Sequence, residues 1–298
     1  MKAVRFTRYG GPEVLELVDV AAPHARAGQV RVAVRAAGVN GLEWKIRQGL
    51  LRHVRPPAGI GGDAAGIVDE VGDGVTDVQV GDAVFGSGLE TYAEHAVLTS
   101  WAPKPREVSF EDAAGFATPF ETALRVLADT GVRGGHTVLV NGASGGVGSA
   151  AVQFAVDRGA TVIGVAGPSN QDYLASLGAV PTTYGPGLAD RVRALAPRGI
   201  DAAVDAAGSG IIAELVELTG DPGRVVSIAD FSAPSHGARV STGLGRDRTP
   251  ALREGARLVA AGRLVLPVTQ TFPLVEAGAA QVANATGHVR GRVVVTVP

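Results

Sequence analysis

Gly142, Gly145 and Gly148 stand at G-x-x-G-x-x-G spacing, and the chemistry that spacing serves is the holding of a pyrophosphate. An apolar, β-branched run, Thr137-Val138-Leu139-Val140-Asn141, enters these glycines, and Ser149-Ala150-Ala151-Val152-Gln153-Phe154-Ala155 leaves them. The pattern predicts strand, phosphate-binding turn and helix. Glycines there permit a tight turn and a close backbone approach to the anion. A helix that starts near Gly146 points its unpaired N–H groups and positive dipole end at the same place, with Ser144 and Val147 in the turn. Spacing alone is a weak signal in a chain with 42 glycines among 298 residues. A second strand, Ala160-Thr161-Val162-Ile163-Gly164-Val165-Ala166, follows at the distance a βαβ unit requires, and that context makes it strong.

The end of the second strand bears on which dinucleotide is held. NAD sites place Asp or Glu there, roughly 20 residues beyond the first glycine, to bond the ribose hydroxyls. This chain has Ala166-Gly167-Pro168-Ser169-Asn170 instead. Nothing in that run repels a 2′-phosphate, and Ser169 and Asn170 can donate to it. The missing strand-end carboxylate makes NADPH the favoured cofactor, against which stand the absence of a Lys or Arg beside Ser169 and Asn170 and the closeness of Asp172; a loop permissive to both dinucleotides is the alternative.

The elements that position such a turn need more than one domain, since 298 residues exceed the usual size of roughly 150 per domain. From Met1 to about residue 108 the chain is rich in Val, Gly and short charged turns, and Gln29-Val30-Arg31-Val32-Ala33-Val34-Arg35-Ala36 alternates at period two. An antiparallel, barrel-like β domain is expected there. At Ser109-Phe110-Glu111-Asp112 an N-cap with an acidic first turn opens Ala-rich helical sequence through Ala128. Strands at 137–141, 161–165, 201–205 and 224–229 then alternate with helices at 147–158, 170–177, 188–196 and 211–219. That alternation predicts a parallel sheet with right-handed crossovers. The apolar strand Arg292-Val293-Val294-Val295-Thr296-Val297 is expected to return to the first domain. The expected organisation is α/β: a doubly wound Rossmann-type domain over 109–261, and a β-barrel-like domain over 1–108 plus 262–298.

Composition excludes several functions. With 27 Lys and Arg against 29 Asp and Glu, the net charge of −2 gives no basic face for nucleic acid. Cysteine is absent, which excludes disulfides and thiolate metal sites. His24, His53, His95, His136, His236 and His288 stand without H-x-x-x-H pairing, so no metal site is expected. The chain begins at once with strand-like Met1-Lys2-Ala3-Val4-Arg5-Phe6, and no apolar run reaches about 18 residues. A cytoplasmic protein with no membrane partner is the expectation.

Taken in order, these pieces resemble the medium-chain dehydrogenase/reductase superfamily, in its zinc-free quinone oxidoreductase branch, which includes zeta-crystallin-like proteins. The carriers are Ala37-Gly38-Val39-Asn40-Gly41-Leu42-Glu43-Trp44-Lys45, Gly61-Gly62-Asp63-Ala64-Ala65-Gly66, Val80-Gly81-Asp82-Ala83-Val84, the glycine turn, and Gly287-His288-Val289-Arg290-Gly291-Arg292-Val293-Val294. The resemblance covers essentially the whole chain and identifies the first domain as GroES-like. Zinc-dependent relatives carry a Cys near Asn40, G-H-E in place of Gly61-Gly62-Asp63, and a four-cysteine lobe, all missing here. Without that Lewis acid, the implied reaction is hydride addition to an already electron-poor quinone or α,β-unsaturated carbonyl, with hydrogen bonds holding the charge that collects on oxygen.

The resemblance also implies site residues. Tyr184 is similar in position to a Tyr set against the adenosine ribose and phosphate, although alone it reads equally as a strand-end aromatic. Asn40 and Thr122 match positions that approach the nicotinamide, with Phe120-Glu121 a departure from the Leu of relatives. Ala207, Gly208, Ile228 and Ala229 end later strands at the ligand crevice, and Arg292 joins them on the cofactor side. Lys45 falls where many relatives have Tyr or Lys and is the candidate for holding an enolate oxygen or relaying a proton; a solvated lysine is the plain alternative. Trp44, Phe85 and Phe231 are candidates for a pocket wall. An enoyl reductase of a biosynthetic pathway and a non-catalytic NADPH-binding protein stay open. A homodimer through an edge near Arg239–Leu244 is also implied.

Overall fold

The computed structural model describes residues 1–243 and 246–298, so Leu244 of the proposed dimer edge lies outside the described residues. The chain forms two compact units, one of residues 1–118, 247–262 and 266–298, the other of 119–246 and 263–265.

The first unit is built on strands β1 (Lys2–Phe6), β2 (Leu15–Asp19) and β3 (Val30–Val39), helix α1 (Gly41–Arg47), then β4 (Ala58–Gly59), β5 (Asp63–Val71), β6 (Ala83–Leu89) and β7 (His95–Pro103). Strand β3 pairs antiparallel with β5, β5 with β6 and β6 with β7, and β7 returns to β3 through Val30–Leu98 and Ala33–His95. This closes the expected barrel. Its alternating Val30, Val32 and Val34 are buried with Val68, Val84 and Leu98, which is why the period-two pattern of β3 folds as it does. The loop 72–82 carries the Val80-Gly81-Asp82 turn, and β6 begins only at Ala83.

The helical sequence from Ser109 divides in two, α2 (Phe110–Ala114) and α3 (Ala117–Asp129). Ser109 caps α2 as expected, its Oγ accepting from the Asp112 N–H at 3.0 Å. The break falls at Gly115-Phe116, where Phe116 turns in to meet Phe85 edge-on with ring centroids 5.6 Å apart. Phe85 is thereby a core residue rather than a pocket wall.

The second unit continues with β8 (Thr137–Asn141), α4 (Gly146–Asp157), β9 (Thr161–Ala166), α5 (Gln171–Ser176), β10 (Val180–Thr183), α6 (Leu188–Leu195), β11 (Ala202–Asp205), α7 (Ile212–Thr219), β12 (Val225–Ser227) and β13 (Arg239–Val240). All its strand pairings are parallel, in the order β10-β9-β8-β11-β12-β13. This is the doubly wound order, in which successive strands are added outward in one direction from β8 and in the other from β11, so that a crevice opens between these two strands at their carboxyl ends. Leu139, Ile163, Val165, Ala203 and Val225 fill the core with Leu188, Val192 and Leu215 from the helices.

The chain ends in α8 (Thr249–Ala260), β14 (Val268–Pro273), α9 (Ala277–Ala285) and β15 (Arg292–Thr296). Strand β15 returns to the first unit as expected and pairs antiparallel with β3, Val293 opposite Val39. Helix α8 packs on β7 and α2 on β3 and β5, so both belong to that first unit; the boundaries expected from sequence at 108/109 and 261/262 divide the chain differently.

Candidate functional site

Gly142 holds φ +76°, a conformation that favours glycine, as β8 turns toward α4. A Cβ on Gly148 would lie 2.1 Å from the Gly142 carbonyl oxygen, so glycine is required there for the helix to pack on its own turn. Gly145 differs: a Cβ would meet nothing closer than that oxygen at 3.6 Å. No contact inside the protein demands glycine at 145, and the open face suits the close approach of a ligand. Gly145 N-caps α4, whose first N–H groups, those of Gly146 and Val147 among them, have no partners within the helix. The residues present thus fit a pyrophosphate.

Around this turn the other expected contacts assemble. Ala166 ends β9, and Asn170 Nδ2 donates to Ser144 Oγ at 3.3 Å, which ties the 167–170 turn to the glycine turn. Ser169 lies in the same turn. Tyr184 is 55% exposed, and its hydroxyl lies 3.6 Å from where a Gly167 Cβ would stand. Its ring therefore flanks the 167–170 turn. Arg191 fixes the loop bearing Tyr184 by donating to the carbonyls of Thr183 and Pro186, both at 2.8 Å.

Two polar hubs shape the crevice floor, and neither was singled out in the sequence. Asp205 ends β11, where its Oδ1 accepts from Asn141 Nδ2 at 2.8 Å, from the Ala207 N–H at 3.1 Å and from the Gly208 N–H at 3.0 Å. Its Oδ2 accepts from Ser227 Oγ at 2.7 Å, and Ser227 Oγ in turn accepts from the Ala229 and Asp230 N–H groups at 3.1 and 2.8 Å. The turns that carry Ala207, Gly208, Ile228 and Ala229 are thus held by one buried carboxylate and one hydroxyl. The signal in the sequence was a carboxylate closing the apolar strand Ala202-Ala203-Val204.

Thr122 is buried on α3 beside an ion pair of Glu121 and Arg125 at 2.8 Å, and Arg125 Nη2 donates to its hydroxyl at 3.3 Å. Arg125 also bonds Ser241, whose hydroxyl donates to Asp129 at 2.5 Å. The Phe120-Glu121 departure is thereby explained: Glu121 is the buried partner of Arg125, and Phe120 packs edge-on against Phe154.

The first unit holds the remaining candidates in one buried network. Asn40 starts α1, and Glu43 reaches back to its N–H at 2.7 Å, the reciprocal half of a capping box. Asn40 Nδ2 donates to Glu43 Oε1 at 3.2 Å and to Asp63 Oδ2 at 3.1 Å, while its Oδ1 accepts from Arg292 Nη2 at 2.8 Å. Both amide protons of Asn40 are committed within this network. Arg292 is 5% exposed and lies 3.8 Å from Asp63. Burial lowers its pKa, and the carboxylates of Asp63 and Glu43 oppose that shift. Its place is in this network, with one amino group given to Asn40.

Asp63 is fully buried and accepts from Ser87 Oγ at 3.2 Å, the Thr118 N–H at 2.9 Å and the Thr118 hydroxyl at 2.8 Å. Tyr92 donates to Glu43 at 2.8 Å. Burial pushes the Glu43 carboxyl up to about 7, against the pull of the Asn40 and Tyr92 hydrogen bonds. Lys45, one turn along α1 and partly exposed, sits over the Trp44 ring at 5.4 Å from its centroid. Phe231 is 58% exposed. Tyr92 was not among the sequence candidates; only its position within a strand-like run marked it for the core.

Among the described residues no group of three His, Asp or Glu side chains could hold a metal, and no helix is long and apolar enough to cross a membrane.

Comparison with known proteins agrees with this architecture. The alcohol dehydrogenase GroES-like domain matches residues 26–105, and the zinc-binding dehydrogenase family matches 177–295. A quinone oxidoreductase of Rattus norvegicus is 42% identical over 175 residues, 56% of this chain and 53% of the relative. The chain thus spans about half the length of the curated relatives it matches. The quinone oxidoreductase structure from Coxiella burnetii superposes with a TM-score of 0.86 at 31% identity, over 100% of this chain and 99% of that one. The Escherichia coli quinone oxidoreductase complexed with NADPH gives 0.88 at 25% identity, over 99% and 100%. The chain belongs to the medium-chain dehydrogenase/reductase superfamily, in its zinc-free quinone oxidoreductase branch.

Proposed function

We propose that this protein is a zinc-independent, NADPH-dependent reductase that passes hydride to a quinone or an α,β-unsaturated carbonyl. The observation that carries the reading is the glycine turn, with Gly145 open on its ligand side at the start of α4 and Asn170 tying the adjoining turn to Ser144. Gly142, Ser144, Gly145, Gly146, Val147 and Gly148 would hold the pyrophosphate. Ala166, Ser169, Asn170 and Tyr184 would hold the adenosine and its 2′-phosphate, and Thr122, Ala207, Gly208, Ile228 and Ala229 the nicotinamide side. A reduced nicotinamide supplies a hydride when bound.

In the first unit, Arg292 puts a fixed cation beside Asn40 and Asp63, a donor set suited to hydrogen bonds and not to a divalent metal. An acceptor that is already electron-poor suits such a site, because no Lewis acid is then needed to polarise it. Lys45 supplies the proton that completes the reduction, directly or through water.

The test is product analysis with NADPH deuterated at its transferring carbon and a short alkenal as acceptor. Deuterium at the β-carbon of the saturated product supports the reading; recovery of unreduced alkenal, together with an unreduced quinone in a parallel reaction, overturns it.

A further inference from the structure

Reduction of a quinone or enone leaves negative charge on oxygen, and a site without a metal needs a cation or oriented donors to hold it. The first unit offers several cations to its buried network, and most are spent. Arg292 is enclosed, bonded to Asn40 and close to Asp63. Arg47 is buried, donating to Gln281 Oε1 and the Gly10 carbonyl, both at 2.7 Å. Arg248, which precedes α8, is different. Its Nη1 donates to Ser87 Oγ at 3.2 Å, it is only partly buried, and it has no carboxylate partner among the described residues.

The contact with Ser87 has a fixed direction. Ser87 is 4% exposed and gives its one hydroxyl proton to Asp63, so its oxygen is left to accept from Arg248. Asp63, held in turn by Asn40 and Thr118, therefore orients Ser87, and Ser87 orients the guanidinium. A guanidinium carries five N–H donors, so one bond to Ser87 leaves Nε and Nη2 for a ligand. The result is a cation anchored at one amino group by a buried chain and, among the described residues, without a partner at its other donors.

We propose that Arg248 is a catalytic residue that holds the oxyanion of the reduced acceptor, with Ser87 its positioning residue. The proposal rests on the reductase reading and gives Arg248 the oxygen-holding part that the sequence assigned to Lys45. Hydride forms the new C–H bond at the electrophilic carbon, the conjugated π pair moves to oxygen, and the enolate or phenolate oxygen accepts N–H bonds from Arg248. A proton from Lys45 or water then neutralises the product, so one NADPH, one acceptor and one proton give NADP and the two-electron-reduced acceptor.

The experiment uses p-nitrophenolate, whose anion absorbs visible light, as an oxyanion probe on the full chain in its wild-type, Arg248→Ala, Arg248→Lys and Ser87→Ala forms. NADPH affinity and steady-state quinone reduction are measured in parallel. The wild type is expected to bind the anion and lower its apparent pKa by about one unit. Arg248→Ala should lose that shift and reduce kcat by roughly 10²-fold, with NADPH affinity unchanged. Arg248→Lys should keep part of the effect, and Ser87→Ala should weaken it, which preserves the test if Arg248→Ala misfolds. Unchanged phenolate binding in Arg248→Ala and Arg248→Lys, or a loss confined to NADPH affinity, overturns the proposal. Arg248-dependent phenolate binding without turnover of any quinone or enone overturns the reductase reading and leaves the oxyanion site; normal turnover in Arg248→Ala overturns Arg248 alone.

Discussion

Tyr92 donates its phenolic proton to Oε2 of Glu43 at 2.8 Å, and both side chains are buried in the first unit. The same oxygen accepts the Asn40 backbone N–H at 2.7 Å, so one carboxyl joins the start of α1 to the barrel wall. Burial also raises the Tyr92 pKa well above its ordinary value, with the neighbouring Glu43 adding to the shift. Tyr92 is therefore a proton donor to Glu43 throughout the working range.

Glu43 makes stability fall with rising pH. Its carboxyl is raised from 4.5 to about 7 in the folded chain, so between those values the unfolded chain has lost a proton that the native state retains. Its contribution is fully present below about 4.5 and is lost as pH rises through about 7, a span worth roughly 3 kcal/mol. Urea denaturation across that window should show wild-type stability declining relative to Glu43→Gln. Parallel curves for the two proteins would exclude Glu43 as the titrating group.

The glycines at 145 and 148 should respond oppositely to alanine. Gly148→Ala forces a Cβ to 2.1 Å from the Gly142 carbonyl oxygen and should lower Tm and cofactor affinity together. Gly145→Ala has room inside the protein, so it should melt as the wild type does and yet bind NADPH about tenfold or more weakly. Calorimetric titration and thermal melts of both variants check this; unchanged NADPH affinity in Gly145→Ala would contradict the assigned ligand face.

Asp205→Ala removes the acceptor that holds Asn141, Ser227 and the Ala207 and Gly208 N–H groups. Stability should drop by about 1–3 kcal/mol, the cost of leaving buried donors unsatisfied. Cofactor affinity should drop as well, since the turns on the crevice floor lose their anchor. A variant of native stability and affinity would show that Asp205 anchors nothing that matters.

Asn40→Ala leaves Arg292, Asp63 and Glu43 each short of a partner in a buried place. The expected cost is about 1–3 kcal/mol. Asn40→Ser, which restores one donor and one acceptor, should recover part of both stability and turnover. Full stability in Asn40→Ala would refute its place at the centre of the network.

Lys45→Ala is expected to lower kcat by about 10²-fold while leaving NADPH affinity intact. Turnover unchanged for every accepted acceptor would remove Lys45 from the mechanism.

Much of the dinucleotide unit was legible because its signals are local. The β-branched strand, the glycine turn and the Ala-rich helix are contiguous, and β8, α4 and β9 fall within a residue of their expected limits. The return of β15 was legible because an apolar strand has to find a sheet. Strand β14 was not, since Val268–Pro273 is half polar and gains its place only by pairing with β15. The buried networks were hidden for a related reason. Asn40, Asp63, Ser87, Tyr92, Arg248 and Arg292 come from six separate segments, and nothing local says that they meet. The same holds for Asp205 and Asn141, 64 residues apart and 2.8 Å from each other.

NADPH-dependent reduction is tested most directly by rapid mixing of the protein with NADPH or NADH and a panel of benzoquinone, phenanthrenequinone and a short alkenal, following loss of reduced-nicotinamide absorbance. The expected result is NADPH oxidation with at least one acceptor class and much slower oxidation of NADH. Tight NADPH binding with no oxidation by any acceptor would contradict it.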